Sequence, residues 1–389
     1  MKTYLKNRGA LFAQPAFFRY FLGGILATLG FGIGYIGTTW LLLSLDNSLS
    51  ALIWGFLAYW VPNALCSPLA GVIVDRFDRK KLIGIGDILC GITYAALGVI
   101  LFFVPNVSIY WVYFIWAIIG ILQGFYTPAL MAFIREVVSK DDLLYANANV
   151  DLGYQIGWIV GAGLAGFVIH LLGFYLSYLL VGAILVFAGL TILSVKRVGK
   201  KKQAITKEDK KSKKIGIFMQ VGLDFKSGMK YLFSNKQALV VYFAQLFFIL
   251  IFMTAPALLA PFAKNILHAN AAEFGQIEAT LTIGMVVGGI VITYLAEKIG
   301  FNKILLWCTF ALVMSILGFS MVSTIFYGLV AYLFLGFSLG CWSLLMTKAQ
   351  EVTDLDYQGR VQSVFSCLLA LGIIILYLGI HLASGLINI

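Results

Sequence analysis

Residues 71–81 read GVIVDRFDRKK: Gly71, three apolar residues, the acid-base pair Asp75 and Arg76, then Phe77, Asp78, Arg79, Lys80 and Lys81. Apolar runs close in on both sides, near 50–74 and 82–104. A glycine permits close helix approach, an aspartate can face a neighbouring helix end, and a basic cluster is held at an anionic membrane surface. The stretch therefore reads as a short loop joining two membrane spans.

The surrounding chain agrees. Its 389 residues are 61% hydrophobic and 12% charged, where soluble domains run at about a quarter charged. Crossing the hydrocarbon core takes about 20 predominantly apolar residues. Eleven runs qualify, near 17–45, 50–74, 82–104, 108–132, 148–172, 174–195, 238–262, 274–296, 304–323, 326–347 and 361–387. Spanning backbone must satisfy its own hydrogen bonds, which leaves helices or a closed barrel. Unbroken runs such as Ala183–Leu193 lack the alternation of a barrel strand. The expected fold is all-α and integral to the membrane. Lys2, Lys6 and Arg8 precede a first run too long for a signal-peptide core, so it reads as a retained span.

The net charge of +11 is explained by position. Alternating the spans from a cytoplasmic amino terminus leaves Lys264 alone, of 28 Lys and Arg residues, on the outer side, as the positive-inside rule expects. The expected location is the cytoplasmic (inner) membrane, and nucleic acid is not an expected partner. Cys66, Cys90, Cys308, Cys341 and Cys367 fall within the spans without metal-ligand or redox spacing and read as packing residues. No metal site or cofactor is expected. The chain has no phosphate-binding loop, no H-E-x-x-H and no nucleophile-base-acid signature, so ATP-driven pumping and enzymatic chemistry lack residues.

Connections are short except at 196–237, which holds 13 Lys or Arg against Glu208, Asp209 and Asp224. The expected organisation is a six-helix bundle over 1–195, a basic cytoplasmic linker over 196–237 and a second bundle of five helices over 238–389. Residues 196–214 are too polar to pack. Ile217, Val221, Phe225 and Met229 recur at helical spacing, which predicts a helix along the membrane surface. The halves are weakly similar: Leu130, Met131, Glu136 and Val137 recur as Leu345, Met346, Glu351 and Val352, as in folds built from repeats.

The 71–81 string resembles the signature loop of the major facilitator superfamily, G-x-x-x-D-R-x-G-R-[RK], with Asp78 in place of the usual glycine. Phe18 to Phe21, Pro128 with Leu143, Ala146 and Asn147, and Gly359 to Val361 are similar to patterns of its bacterial macrolide-efflux and enterobactin (siderophore) exporter branch. The resemblance implies two pseudo-symmetric helical bundles. The family norm is twelve spans: either the last is absent from this chain or two short ones are merged in the eleven runs, and the residues after Val361 are too few for two full crossings. The resemblance also implies a cytoplasmic latch in which Asp75 meets the start of the eleventh span, where Arg360 adds a charge. Gly71, Arg76, Arg79, Lys80 and Glu136 complete it.

Gly153, Gly157 and Gly161 in span five and Gly284 and Gly288 in span eight form stripes that permit close approach; by family analogy they face each other between the halves. Ionisable residues within spans are unfavourable and hence functional candidates. Glu278 leads for proton or ion coupling, followed by Asp151 and by Asp87, which the spacing from Lys81 also allows to face the cytoplasmic loops. Gly120 stands where many family exporters carry an arginine. The expected substrate pocket is aromatic and uncharged polar: Tyr35, Thr38, Trp40, Gln123, Tyr126, Tyr154, Gln155, Trp158, Gln245, Trp342 and Ser343. Few buried charges favour an amphipathic organic substrate. The leading expectation is a monomeric, gradient-coupled secondary transporter, contacting membrane lipid and a proton or other ion, that exports a drug-like molecule or siderophore. Alternatives are an importer of a metabolite or siderophore, a lysophospholipid flippase of the same fold, and a non-transporting sensor or scaffold.

Overall fold

The computed structural model describes residues 9–104, 106–139, 142–197, 217–354 and 357–387, and among them helix is the only regular structure. After a short turn at Leu11–Ala13 come α1 (Pro15–Leu45), α2 (Leu49–Arg76), α3 (Arg79–Phe103) and α4 (Ile109–Val137). The next helical stretch, Leu143–Leu193, has 51 residues, about 76 Å at the α-helical rise and more than twice the roughly 30 Å hydrocarbon core. Gly173 divides it with φ 70° and ψ 173°, a conformation that a side chain would strain. Residues 143–172 form α5 and residues 174–193 form α6. Counting them separately, the described residues hold the eleven spans expected from sequence.

The remainder comprises α7 (Ile217–Ser234), α8 (Lys236–Asn265), α9 (Ala271–Ile299), α10 (Phe301–Ser320), α11 (Ile325–Leu339), α12 (Trp342–Val352) and α13 (Gln358–Ile387). The tenth predicted span is thus two helices, α11 and α12, meeting in a turn at Gly340 and Cys341. Polar side chains start several helices by accepting backbone N–H groups. Ser48 accepts from Ala51. Asn270 accepts from Ala272 and Glu273 while Glu273 accepts from Asn270, a reciprocal capping box.

The chain divides into two compact units, one of residues 1–202 with 263–279, the other of 203–262 with 280–389. In the first unit α1 packs on α5 and α6, α2 on α4, and α3 on α6 and α4. The α3–α6 contact is backbone to backbone: a Cβ at Gly91 would lie 2.6 Å from Gly182 O, and one at Gly182 would lie 2.7 Å from Gly91 O. At one end of the unit Phe17, Tyr20, Ile83, Phe133, Val137 and Ile192 form a buried apolar core.

In the second unit α7 packs on α13. Tyr231 of α7 stacks on Tyr357 at 4.6 Å, and its hydroxyl accepts from Asp354 N at 3.0 Å. The helix predicted within the basic linker is therefore docked on the second unit; residues 198–216 lie outside the described ones.

Each glycine stripe has its close neighbour within its own unit. A Cβ at Gly157 would fall 2.1 Å from Thr28 Oγ1, and one at Gly161 would fall 2.3 Å from Leu29 O. Gly153 abuts Phe21. All three pack on α1 within their own unit. Gly284 and Gly288 instead meet Leu333 O and Phe337 O of α11, where added Cβ atoms would lie at 2.2 and 2.1 Å. Four-residue spacing marks a close approach without naming the neighbour.

A Cβ added at Gly86, on the same helix as Gly91, would have no neighbour within 4 Å. Gly91→Val should therefore lower the thermal unfolding midpoint of the detergent-purified protein by an amount equivalent to about 1–3 kcal/mol of overpacking, while Gly86→Val changes it far less. Equal effects would show that helix propensity, and not the α3–α6 approach, sets the loss.

Candidate functional site

The loop of residues 77–79 turns without positive φ: Phe77 has φ −100° and ψ 164°, and Asp78 has φ −70° and ψ 110°. No glycine is needed, and Asp78 uses its carboxylate to accept from Lys81 N at 3.4 Å, capping α3. Arg79 then points across to α4, donating from Nη1 to Glu136 Oε1 at 3.0 Å. Lys80 reaches the end of α6, where Nζ donates to Leu193 O at 2.9 Å and Val195 O at 3.2 Å, a favourable place for a cation among unpaired helix carbonyls.

Arg197, which sequence reasoning counted only among the topological charges of the linker, completes the cluster. Its Nη2 donates to Asp78 Oδ1. Its Nε lies 2.8 Å from Glu136 Oε2, an ion pair outside hydrogen-bonding alignment, and its guanidinium lies 5.9 Å from the Phe133 ring centre. Among the described residues the four charges run Asp78, Arg197, Glu136, Arg79 in alternating sign. The only sequence signal for Arg197 was its place just after the apolar run that ends at 195. Gly71, Asp75 and Arg76 lie in the last turns of α2, but outside the residues whose side chains are described. Arg360, in the second unit, donates to Ser227 Oγ at 3.3 Å and lies 5.6 Å from the Tyr357 ring.

Deeper in the first unit, Tyr35 is surrounded by rings: Phe56 at 5.9 Å, Trp116 at 6.1 Å and Trp158 at 5.5 Å between centroids. Trp40 stacks on Phe274 at 5.6 Å. These distances suit attractive aromatic pairing. Thr38 belongs to a different environment: it is fully buried, donates to Gly34 O at 2.7 Å and accepts from the Tyr178 hydroxyl at 3.2 Å, so it joins α1 to α6. Gln155 is half-buried.

Three acids were candidates for coupling. Asp151 is exposed. Glu278 is buried on α9 in the first unit, with Oε1 lacking a hydrogen-bond partner. Asp87 is fully buried, and among the described residues neither carboxyl oxygen is in hydrogen-bond geometry. The hydroxyl of Tyr126 faces it from α4. Among the described residues Gln123 Nε2 is buried without a hydrogen-bond partner, while Tyr126 OH faces Asp87 and Tyr154 OH faces Tyr20 outside hydrogen-bond geometry.

In the second unit Gln245 is buried and donates to Met346 Sδ at 3.2 Å. Trp342 is half-buried and Ser343 exposed. The repeat of Glu136, Glu351, pairs locally with Lys348 at 2.8 Å.

The ion network can be tested directly. Its members keep 17–21% side-chain exposure, above deep burial, so a double-mutant cycle between Arg79→Ala and Glu136→Ala should return a coupling of about 0.5–1 kcal/mol in unfolding experiments. It should shrink as salt rises. Zero coupling would show that the pair fixes no structure.

Relatives of this chain are found among bacterial efflux proteins. The multi-drug resistance efflux pump PmrA of Streptococcus pneumoniae is 33% identical over 153 residues, 38% of this chain and 37% of that protein. The match thus spans well under half the length of that relative. Macrolide efflux protein A of Enterococcus faecalis is 23% identical over 83% of this chain and 96% of its own length. The enterobactin exporter EntS of Citrobacter koseri is 23% identical over 94% and 84%. Among solved structures, the nucleoside transporter NupG superposes with a TM-score of 0.71 at 13% identity, covering 93% of this chain and 90% of that one, a likeness of fold. The sequence profile of the Major Facilitator Superfamily matches residues 20–377: this multi-pass membrane protein belongs to the Major Facilitator Superfamily.

Proposed function

We propose that the protein is a secondary active exporter, moving a small amphipathic organic molecule out across the cytoplasmic membrane by alternating access coupled to an ion gradient. The observation that carries this reading is the composition of the first unit's interior. Tyr35, Phe56, Trp116 and Trp158 are gathered ring to ring, while the fully or almost fully buried acids described there are Asp87 and Glu278. Stacked rings offer planar, apolar contact area. An interior so poor in charge does not compensate a simple ion. The efflux names of the relatives support the outward direction and a drug-like or siderophore cargo.

The same proposal includes a cytoplasmic amino terminus, a sequence order of bundle (1–195), basic linker (196–237) and bundle (238–389), and action as a monomer in contact with anionic lipid. The buried acids are the places where a coupling proton or other cation would bind.

The deciding measurement is steady-state accumulation of ethidium, a macrolide and labelled enterobactin in cells with and without the protein, repeated after the proton gradient is collapsed. Lower accumulation of at least one compound, lost with the gradient, is expected. Trp158→Ala should then raise the half-saturating concentration of that compound about fivefold, the equivalent of about 1 kcal/mol of ring contact. Raised accumulation would show import. No change with any of the three, together with faster inward movement of a fluorescent lysophospholipid, would overturn export in favour of lipid flipping.

A further inference from the structure

Two antiparallel neighbours in the second unit bring a pair of thiols together. At the start of α10, Phe301 lies beside Lys348 of α12, whose Nζ is 5.8 Å from the ring centre. Seven residues on from Phe301 comes Cys308, and seven residues back from Lys348 comes Cys341. Seven residues is about two helical turns, or about 10 Å of rise, so each step returns to the same helix face. The second contact falls where the first places it: the Cys308 and Cys341 side chains are hydrogen-bonded to each other. Both residues are buried, and both are free thiols. Cys66 and Cys90 belong to the first unit and Cys367 to α13.

The position of the pair gives the contact a consequence. Cys341 lies in the turn where α11 meets α12. Its N–H reaches Ser338 O, three residues back, at 3.4 Å. The four-residue ladder is interrupted there, and a short interruption of this kind inside a long helix marks a hinge. On its other side the turn is seated on α9: a Cβ added at Gly340 would lie 2.5 Å from Gly289 N. The bend is thus held by backbone contact with α9 and by a thiol contact with α10. Beyond it α12 carries Met346, which accepts from Gln245 of α8, so a change of angle at 340–341 alters what α12 touches.

We propose that Cys308 and Cys341 are a peroxide-oxidisable dithiol whose disulfide fastens α10 to the bend of the tenth span and thereby arrests transport. The co-reactant is a hydroperoxide as small and uncharged as hydrogen peroxide, which can enter a buried, apolar site. In the first step one sulfur attacks a peroxide oxygen. An S–O bond forms, the O–O bond breaks, the thiol proton leaves with the departing oxygen as water, and a sulfenic acid remains. In the second step the other thiol attacks that sulfur. The S–S bond forms, the S–O bond breaks, and the hydroxyl leaves with the second thiol proton as water. Two electrons pass from the sulfurs to the peroxide. A solitary buried cysteine has no thiol for the second step, whereas two thiols already in contact need to approach by only about 2 Å to bond. Exchange with a reducing dithiol reverses the bond, so the fastening acts as a switch.

The disulfide does not depend on the export reading, and the first measurement tests it alone. The purified full-length protein in lipid bilayers is treated with hydrogen peroxide, the peroxide is removed, and the protein is denatured with an alkylating reagent present. Its peptides are then weighed by mass spectrometry. A linked peptide joining Cys308 to Cys341, lost on reduction with dithiothreitol, is expected, with Cys66, Cys90 and Cys367 recovered alkylated. Cys308→Ser should remove the link. Recovery of Cys308 and Cys341 as unlinked species, or a link from either to a different cysteine, would overturn the site. If Cys308→Ser is not monodisperse, Cys308→Ala replaces it.

Backbone hydrogen exchange over residues 338–346 reads the hinge. Exchange should slow about tenfold on oxidation, recover on reduction, and ignore peroxide in Cys308→Ser. Equal exchange in the linked and reduced protein would refute the fastening. The arrest of transport rests on the export reading and is read as ethidium efflux from proteoliposomes, which should stop on oxidation, resume with dithiothreitol and resist peroxide in Cys308→Ser. Efflux that persists in the linked protein refutes the arrest and leaves the disulfide standing. If the reduced, unmodified protein moves no ethidium, the export reading fails for this compound, while peptide masses and hydrogen exchange still decide the dithiol and its hinge.

Discussion

In hydrocarbon a polar group has no water to fall back on, and most of this structure follows from that constraint. Backbone groups satisfy it by forming helices, which is why apolar length alone marks out the spans. Hydroxyl side chains satisfy it locally: Thr38, Thr39, Ser177 and Thr254 each donate to the carbonyl four residues earlier. Tyrosines satisfy it across helices, as when Tyr332 donates to Ala255 O and Tyr377 to Met253 O. Against this pattern, the unpaired oxygens of Asp87 and Glu278 stand out as departures that packing does not explain.

The charged loop obeys the same constraint at the rim of the bundle. Lys80 and Arg79 do not simply face solvent: Lys80 covers the last carbonyls of α6, and Arg79 holds Glu136 together with Arg197 from beyond α6. One short segment thereby ties the start of α3 to the ends of α4 and α6. The second unit reaches a comparable tie by other means, with the Tyr231–Tyr357 stack and Tyr231 and Asn235 both donating to Val352 O. Sequence similarity between the halves thus survives in Glu136 and Glu351 while the interactions built on them have diverged.

The sequence was informative wherever a property is set by composition along one helix. Span number, the helix at 217–234 and the family loop were legible because length, periodicity and charge order are local. Partner identity was not. Gly153, Gly157 and Gly161 announced a close contact, yet the neighbour turned out to be α1, and only three-dimensional packing contains that information. Thr38 looked like a pocket residue because its hydroxyl is polar; the structure commits it to Gly34 and Tyr178. Arg197 was hidden among thirteen like charges, and Asp87 was ambiguous because its depth depends on how far α4 and α5 cover it. The missing turn glycine was misleading in the other direction, since an extended Asp78 makes the turn and caps the next helix.

Gly173 joins α5 to α6 through a single residue of positive φ, with no polar linker between them. That join leaves no loop to elaborate. A domain inserted there would have to break two helices, whereas the connections that follow α3 and α4 can lengthen without doing so. Diversification of this protein by loop insertion is accordingly closed at one turn of the first unit and open at its neighbours.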